Sequence, residues 1–315
     1  MEGNSHRHLI PLSSISAELP YGLRFDYKDS YLESSLEARG MLFPILLFHD
    51  GKKQVVVSGC KRFSYALRKD WKEIPATVIG EKFSRKELFF LSLFSNWNQK
   101  FTELDRMEIL RKGEMDFALS RDELSGTVLP AIGIAVSAFE EYRQAAKLPA
   151  EILVLIHAGK LPFRGSSSLV RFSREEQLYL AGNVLNRMHL TTNQLTLVSE
   201  WISDLKRSRK RPLETLFVEK NLSAVLKQNK DDERKKGEKL FETVRSLRFP
   251  KISEAEKKFL HLKEKLRDMP EIQLNRPEGL ETEGVTLHAR LRDHQGVEKV
   301  LSFLENHRRT LEAFL

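Results

Sequence analysis

The stretch Val55-Val56-Val57-Ser58-Gly59-Cys60-Lys61-Arg62 decides how the first eighty residues are read. Three valines in a row make a strand, because branching at Cβ suits a pleated surface. Gly59 stops the strand, and the spacing beyond it predicts a helix over 61–70. A glycine at such a junction lets the backbone approach a ligand closely. The unpaired amides of the helix start then favour an anion such as phosphate. Lys61 and Arg62 add positive charge there, and an arginine fork can grip a phosphate with two donors. Strand–glycine–helix junctions are common, so the step taken alone reads better as a capped turn with solvated basic side chains.

Working outward, Asp50-Gly51 joins two extended runs, 43–48 and 54–58, into a hairpin. Residues 29–39 pattern as a helix, with Leu32 and Leu36 four apart and Asp29 or Ser30 as cap. Gly40 ends it in the manner of a glycine after a helix C-terminus. Residues 9–15 form a short extended piece and 74–79 a further strand, whose Pro75 suits an edge or a strand start. The first part of the chain, 9–83, is therefore α+β.

Residues 84–205 turn helical. Ser84 with Glu87, Ser120 with Glu123 and Ser173 with Glu176 are Ser-x-x-Glu capping boxes. Over 102–117 the apolar positions are Leu104, Met107, Ile109 and Leu110. Residues 126–130 read as a lengthened turn, 136–147 as the helix after it, and 150–158 as a helix stopped by Gly159. Lys206-Arg207-Ser208-Arg209-Lys210-Arg211-Pro212 marks a boundary, with a basic charged linker over 206–240. The remainder, 241–315, is mostly helical: one long helix or a pair over 241–267, a single alternating strand at 285–291 and an amphipathic helix over 297–314.

The single cysteine among 315 residues excludes an internal disulfide and a thiolate zinc cage. The histidines show no metal spacing, so no metal ligand is assigned. No run approaches the roughly 20 apolar residues that a membrane helix needs, and residues 1–8 are polar with no apolar signal core after them. These features point to a reducing cytoplasm. A net charge of +8 fits a polyanion partner but barely separates that from an ordinary basic protein.

These residues together carry a resemblance. Ile10-Pro11-Leu12-Ser13-Ser14-Ile15, the helix at 32–38 and Arg39-Gly40-Met41-Leu42-Phe43-Pro44-Ile45-Leu46-Leu47 resemble the first box of the ParB/sulfiredoxin superfamily, in its ParB-type partition branch. Gly59-Cys60-Lys61-Arg62-Phe63-Ser64-Tyr65-Ala66 with Ile74-Pro75-Ala76-Thr77-Val78 resembles the second box, Gly-Glu-Arg-Arg followed by an Ile-Pro strand. Phe101-Thr102-Glu103-Leu104-Asp105-Arg106, Leu148-Pro149-Ala150-Glu151-Ile152 and Arg174-Glu175-Glu176-Gln177 extend it into the helices, over about 9–200.

The resemblance implies a ParB/sulfiredoxin-like N-terminal domain (9–83), a helix-turn-helix-like all-α domain (84–205) and a mostly helical C-terminal region. It implies a DNA-binding, nucleoid-associated bacterial protein of chromosome or plasmid partition or of transcription regulation. It also implies a CTP-like nucleotide with Mg2+ in the N-terminal domain, a homodimer and a partner ATPase. Carried over, the phosphate loop is Gly59, Cys60, Lys61 and Arg62. Gly40 and Pro44 shape the opposite wall, and Asn96 or Asn98 keeps a polar contact.

The chain departs from the pattern in four places. Cys60 replaces the glutamate, which resembles the catalytic cysteine of sulfiredoxin. It reads either as a thiolate favoured by Lys61, Arg62 and the helix start or as a small packed side chain. The family's Glu-Asn-x-x-Arg segment is Ser95-Asn96-Trp97-Asn98-Gln99-Lys100, which lacks the carboxylate that would activate water. Enzymatic activity, if present, is a weak nucleotide triphosphatase. Phe43 replaces a glutamine. The recognition helix starts Ile134-Ala135-Val136-Ser137-Ala138, with only Ser137 suited to base edges and Glu140 and Glu141 following. DNA contact then falls on the backbone-binding cluster Lys206, Arg207, Arg209, Lys210 and Arg211. Trp97 and Trp201 read as core or interface residues rather than base-stacking platforms. The alternative readings are a phosphotransferase using a nucleotide at 59–62, or a scaffold that makes protein contacts only.

Overall fold

The structure is a computed structural model that describes residues 8–51, 53–80, 82–96, 100–209, 212–219, 222, 232–267, 269, 272–275 and 285–312. It forms two compact units, one of Met1–Asn186 with Thr191–Leu195, the other of Arg187–Leu190 with Thr196–Leu315.

The first unit opens with β1 (His8–Pro11), α1 (Ser30–Arg39), β2 (Ile45–His49), β3 (Gln54–Ser58), α2 (Cys60–Arg68) and β4 (Glu73–Ile79). The strands form one sheet in the order β1-β4-β2-β3. β2 and β3 are the antiparallel hairpin around Gly51, whose φ of 91° only glycine adopts freely. β4 returns parallel to β2, with Ile45 opposite Ala76 and Leu47 opposite Val78. One face of this sheet buries Ile45, Leu47, Val56, Ile74 and Ala76 against Phe63 and Ala66 of α2.

Pro75 is the third residue of β4, an internal strand. It faces Leu9 of β1, while the ladder to β2 begins only at Ala76. The edge expectation does not hold. The strand expected from Phe43 begins at Ile45, because Pro44 has no N–H to donate and Phe43 is exposed.

α3 (Arg85–Ser95) and α4 (Glu103–Met115) follow, each opened by a reciprocal capping box, Ser84 with Glu87 and Thr102 with Asp105. Leu104, Met107, Ile109 and Leu110 of α4 are buried as their spacing requires. The turn expected at 126–130 is instead helical. α5 (Arg121–Glu123) and α6 (Leu129–Ile132) are joined by a π-helical turn, Leu124–Val128. Pro130 has no N–H and its ring crowds the carbonyl four residues back; the wider turn, with Leu129 N–H donating to Leu124 O, makes that room. The real turn falls at Gly133, with φ 69°. A 3₁₀ turn, Val136–Ala138, then leads into α7 (Phe139–Ala145), and α8 (Ala150–His157) and α9 (Arg174–Asn183) complete the unit.

α10 (Thr192–Arg209) runs past residue 205, so the basic run begins inside it. α11 (Leu213–Glu219) and the helix Glu233–Arg248 also fall within 206–240 or overlap it. Of the two readings of 241–267, the pair is the one that forms, Glu233–Arg248 and Pro250–Lys265, broken where Pro250 takes the first helical turn. Trp201 is half-buried and packs on Phe241 at 5.2 Å and edge-on to Phe249 at 5.6 Å. Trp97 lies outside the described residues. Beyond, β5 (Ile272–Asn275) pairs antiparallel with β6 (Thr286–Ala289), and the helix His294–Glu312 packs Phe303 with Leu262, Leu266, Ile272 and Leu274. Four residues of β5 are too few for a pattern, so the sequence showed one strand here rather than two. No helix among the described residues is long and apolar enough to cross a membrane.

Candidate functional site

Gly59 takes φ 93°, ψ 21° and serves as the N-cap of α2 with no side chain on the helix end. A Cβ there would sit 2.7 Å from Ile45 Cγ2 and 3.1 Å from an Arg62 nitrogen, so the position is closed to larger residues. The first α-helical bond, Phe63 N–H to Gly59 O, leaves the amides of Cys60, Lys61 and Arg62 outside the helical ladder. A cleft of about 180 Å³ is lined by Ser58, Gly59, Cys60, Lys61 and Arg62 from β3 and α2. Ser92, Ser95 and Asn96 line it from the end of α3, and Leu23, Arg24, Tyr27 and Leu32 from the segment before and into α1.

The two cations of the loop have internal partners. Lys61 Nζ lies 2.7 Å from Asp29 Oδ2. Arg62 is mostly buried and donates to the carbonyls of Phe43 and Pro44, the latter at 3.0 Å. Burial holds its guanidinium below the usual arginine range. Cys60 is buried, and desolvation pushes its thiol up to about 11, despite the opposing pull of Lys112 and Arg62. Desolvation outweighs the helix start and the cations, so the packed reading of Cys60 prevails over the thiolate. Asn96 Nδ2 donates to Ser92 O at 2.8 Å.

The structure thus brings Gly59, Cys60, Lys61, Arg62 and Asn96 to one cleft. Gly40 and Pro44 do not line it; Pro44 takes part through the carbonyl that holds Arg62. Asn98 lies outside the described residues. Sequence reasoning missed Arg24, Tyr27, Ser92 and Ser95. Arg24 is fixed by Asp105 at 2.8 Å and by Lys100 O at 2.8 Å. Burial raises the Tyr27 phenol well above its ordinary value. Asp105 falls in the quoted family-like segment, which was a usable signal; the 20–28 segment carried none.

No family model matches the chain. A probable chromosome-partitioning protein ParB of Coxiella burnetii is 21% identical over 182 residues, which is 58% of this chain and 61% of that protein. The chain is thus similar to a ParB-type partition protein at low identity. The match spans less than two thirds of the curated relative's length. Among solved structures, ParB of Caulobacter crescentus complexed to the centromeric parS site is 16% identical. That match covers 61% of this chain and 98% of that one, with a TM-score of 0.36. The same protein complexed with CTP-gamma-S is 17% identical, covering 56% and 97%, with a TM-score of 0.26.

The residues that the sequence offers as candidates for DNA contact lie far apart along the chain. Ser137 is exposed on the 3₁₀ turn before α7, beside the exposed Val136. Glu140 pairs with Arg143, which also reaches Glu114 at 2.8 Å, and Glu141 accepts from Gly165 N–H at 3.2 Å. Lys206 and Arg207 are carried on α10, where Arg207 pairs with Asp204 at 2.6 Å and stays largely exposed. Arg209 ends α10, and its side chain, with Lys210 and Arg211, lies outside the described residues. Among the described residues no three His, Cys, Asp or Glu side chains cluster as a metal site.

Proposed function

We propose that this chain is a DNA-binding, ParB-like protein of chromosome or plasmid partition or of transcription regulation, with a CTP-like nucleotide bound at 59–62. The observation that carries the nucleotide reading is the left-handed Gly59, which starts α2 at a cleft shared with Lys61, Arg62 and Asn96. That arrangement suits phosphate. The residues 9–83 are the nucleotide-binding part, 84–205 the helical DNA-facing part and 241–315 the C-terminal region, with the homodimer and partner ATPase of the family. The protein works in the cytoplasm at the nucleoid. A Mg2+ ion, when present, is held by the nucleotide's phosphates and water, as a hard ion that keeps its own shell, since the cleft lining holds no carboxylate among the described residues. The same lack supports binding with little or no hydrolysis.

Binding needs the cleft to widen, since about 180 Å³ falls short of the roughly 300–1,000 Å³ of ordinary ligand pockets. Movement of the Arg62 side chain off Phe43 and Pro44 is the local step that provides room. A second reading is favoured by that same contact: a scaffold whose nucleotide corner is filled by its own Arg62. Calorimetry with CTP, ATP and ADP decides between them. CTP binding that is lost in Arg62→Ala supports the first, and no nucleotide binding supports the second. Anisotropy on random duplex DNA at two salt concentrations tests the DNA half; no binding at low salt ends it.

A further inference from the structure

Asp29 does two jobs at once. Its Oδ1 caps α1 by accepting from Leu32 N–H at 3.1 Å, and its Oδ2 holds Lys61 Nζ at 2.7 Å. Both side chains of the ion pair are partly exposed, 31% and 26%, so water and a soluble anion reach the pair. Lys61 lines the cleft and Asp29 does not, so the carboxylate draws the ammonium toward its own side. The Lys61 hydrogen bond, followed by the Leu32 amide, holds the Asp29 carboxyl below its ordinary range, and it stays charged at neutral pH.

We propose that Asp29 is an affinity-determining residue: an internal anion that occupies Lys61 until a phosphate at 59–62 displaces it. This rests on the nucleotide reading above. A phosphate arriving at the α2 amides meets an ammonium already neutralised, and it must outcompete a carboxylate tethered at contact distance. Asp29 therefore weakens binding of any phosphate, and weakens it through Lys61 alone.

The chemistry offers a clean variant. Asn caps a helix about as well as Asp, so Asp29→Asn keeps the Leu32 contact and removes only the charge. The test is titration of CTP with Mg2+ into the full chain for wild type, Asp29→Asn, Lys61→Met and the double variant, with melting temperatures alongside. Asp29→Asn is expected to bind CTP roughly fivefold tighter at low salt, the scale of a partly exposed ion pair, with a melting temperature lowered by no more than the few degrees that losing such a pair costs. The gain should shrink at high salt, where such pairs are screened, and vanish when Lys61 is Met. Wild-type binding with no gain in Asp29→Asn overturns the inference while leaving the nucleotide site standing, and so does a gain that survives Lys61→Met. Binding by no variant overturns the nucleotide reading and this inference together. Binding by Asp29→Asn alone supports both.

Discussion

Arg24 Nη1 lies 2.8 Å from Asp105 Oδ2, and the two side chains are only 9% and 5% exposed. The same carboxylate accepts from Phe25 N–H at 2.9 Å and Thr102 N–H at 2.8 Å. One buried group thus ties the segment that lines the cleft to the start of α4. Removing one partner of such a pair leaves the other charge buried and unpaired, at a cost of about 3–5 kcal/mol.

Asp105→Asn should therefore lower stability by about 3 kcal/mol, since its amide would turn donors toward donors. Urea unfolding followed by circular dichroism reads this as a lower midpoint with an unchanged slope. Arg24→Met with Asp105→Leu should recover most of the loss, because a buried apolar pair carries no desolvation penalty. A loss under about 1 kcal/mol in the single variant would show that water reaches the pair.

Gly59→Ala tests the corner itself. The substitution meets both a positive φ and Ile45 Cγ2 at 2.7 Å. Strain at such a position is about 1–3 kcal/mol, so the melting temperature should fall by several degrees. An alanine tolerated without loss would mean that the β3–α2 junction relaxes to another backbone.

Local signals were legible in the sequence, and long-range ones were not. The boxes at Ser84, Ser120 and Ser173 and the glycine after α1 involve residues within four positions, and each forms. The β3–Gly59–α2 step and Asn96 meet because the family-like pattern already encodes their spacing. Arg24 and Asp105 stand 81 residues apart, and nothing in either neighbourhood announces the other. Asp29 was readable as a cap, but its second bond, to Lys61, depends on how α1 packs on α2. The turn expected at 126–130 failed for a different reason: Pro130 signals a break, and the fold absorbs it with one π turn.

Cys60 gives a pH prediction. Its thiol is raised from an ordinary 9.0 to about 11, chiefly by burial. The folded chain therefore holds the proton more tightly than the unfolded chain. The stability linked to this group is complete below about pH 9 and is lost as pH rises toward 11. Unfolding midpoints measured across that window should fall for wild type and fall less for Cys60→Ala. Native protein should also react slowly with a thiol reagent at pH 8 and quickly in urea. Fast labelling of the folded chain would restore the thiolate reading.

Arg207 tests where the DNA backbone is met. It is carried on α10 with its side chain 81% exposed, next to Asp204, which also holds Arg248 at 3.3 Å. A cation that neutralises one phosphate adds about 0.9 to the slope of log affinity against log salt. Arg207→Gln should therefore reduce that slope by roughly 0.9 if the arginine leaves Asp204 for DNA. Asp204→Asn should strengthen binding at low salt, because it removes the competing carboxylate. Ser137→Ala should leave the slope unchanged, since a hydroxyl releases no counterion. A slope indifferent to Arg207 would move the backbone contact off this end of α10. A drop in slope for Ser137→Ala would show that the second helix is pressed against phosphate after all.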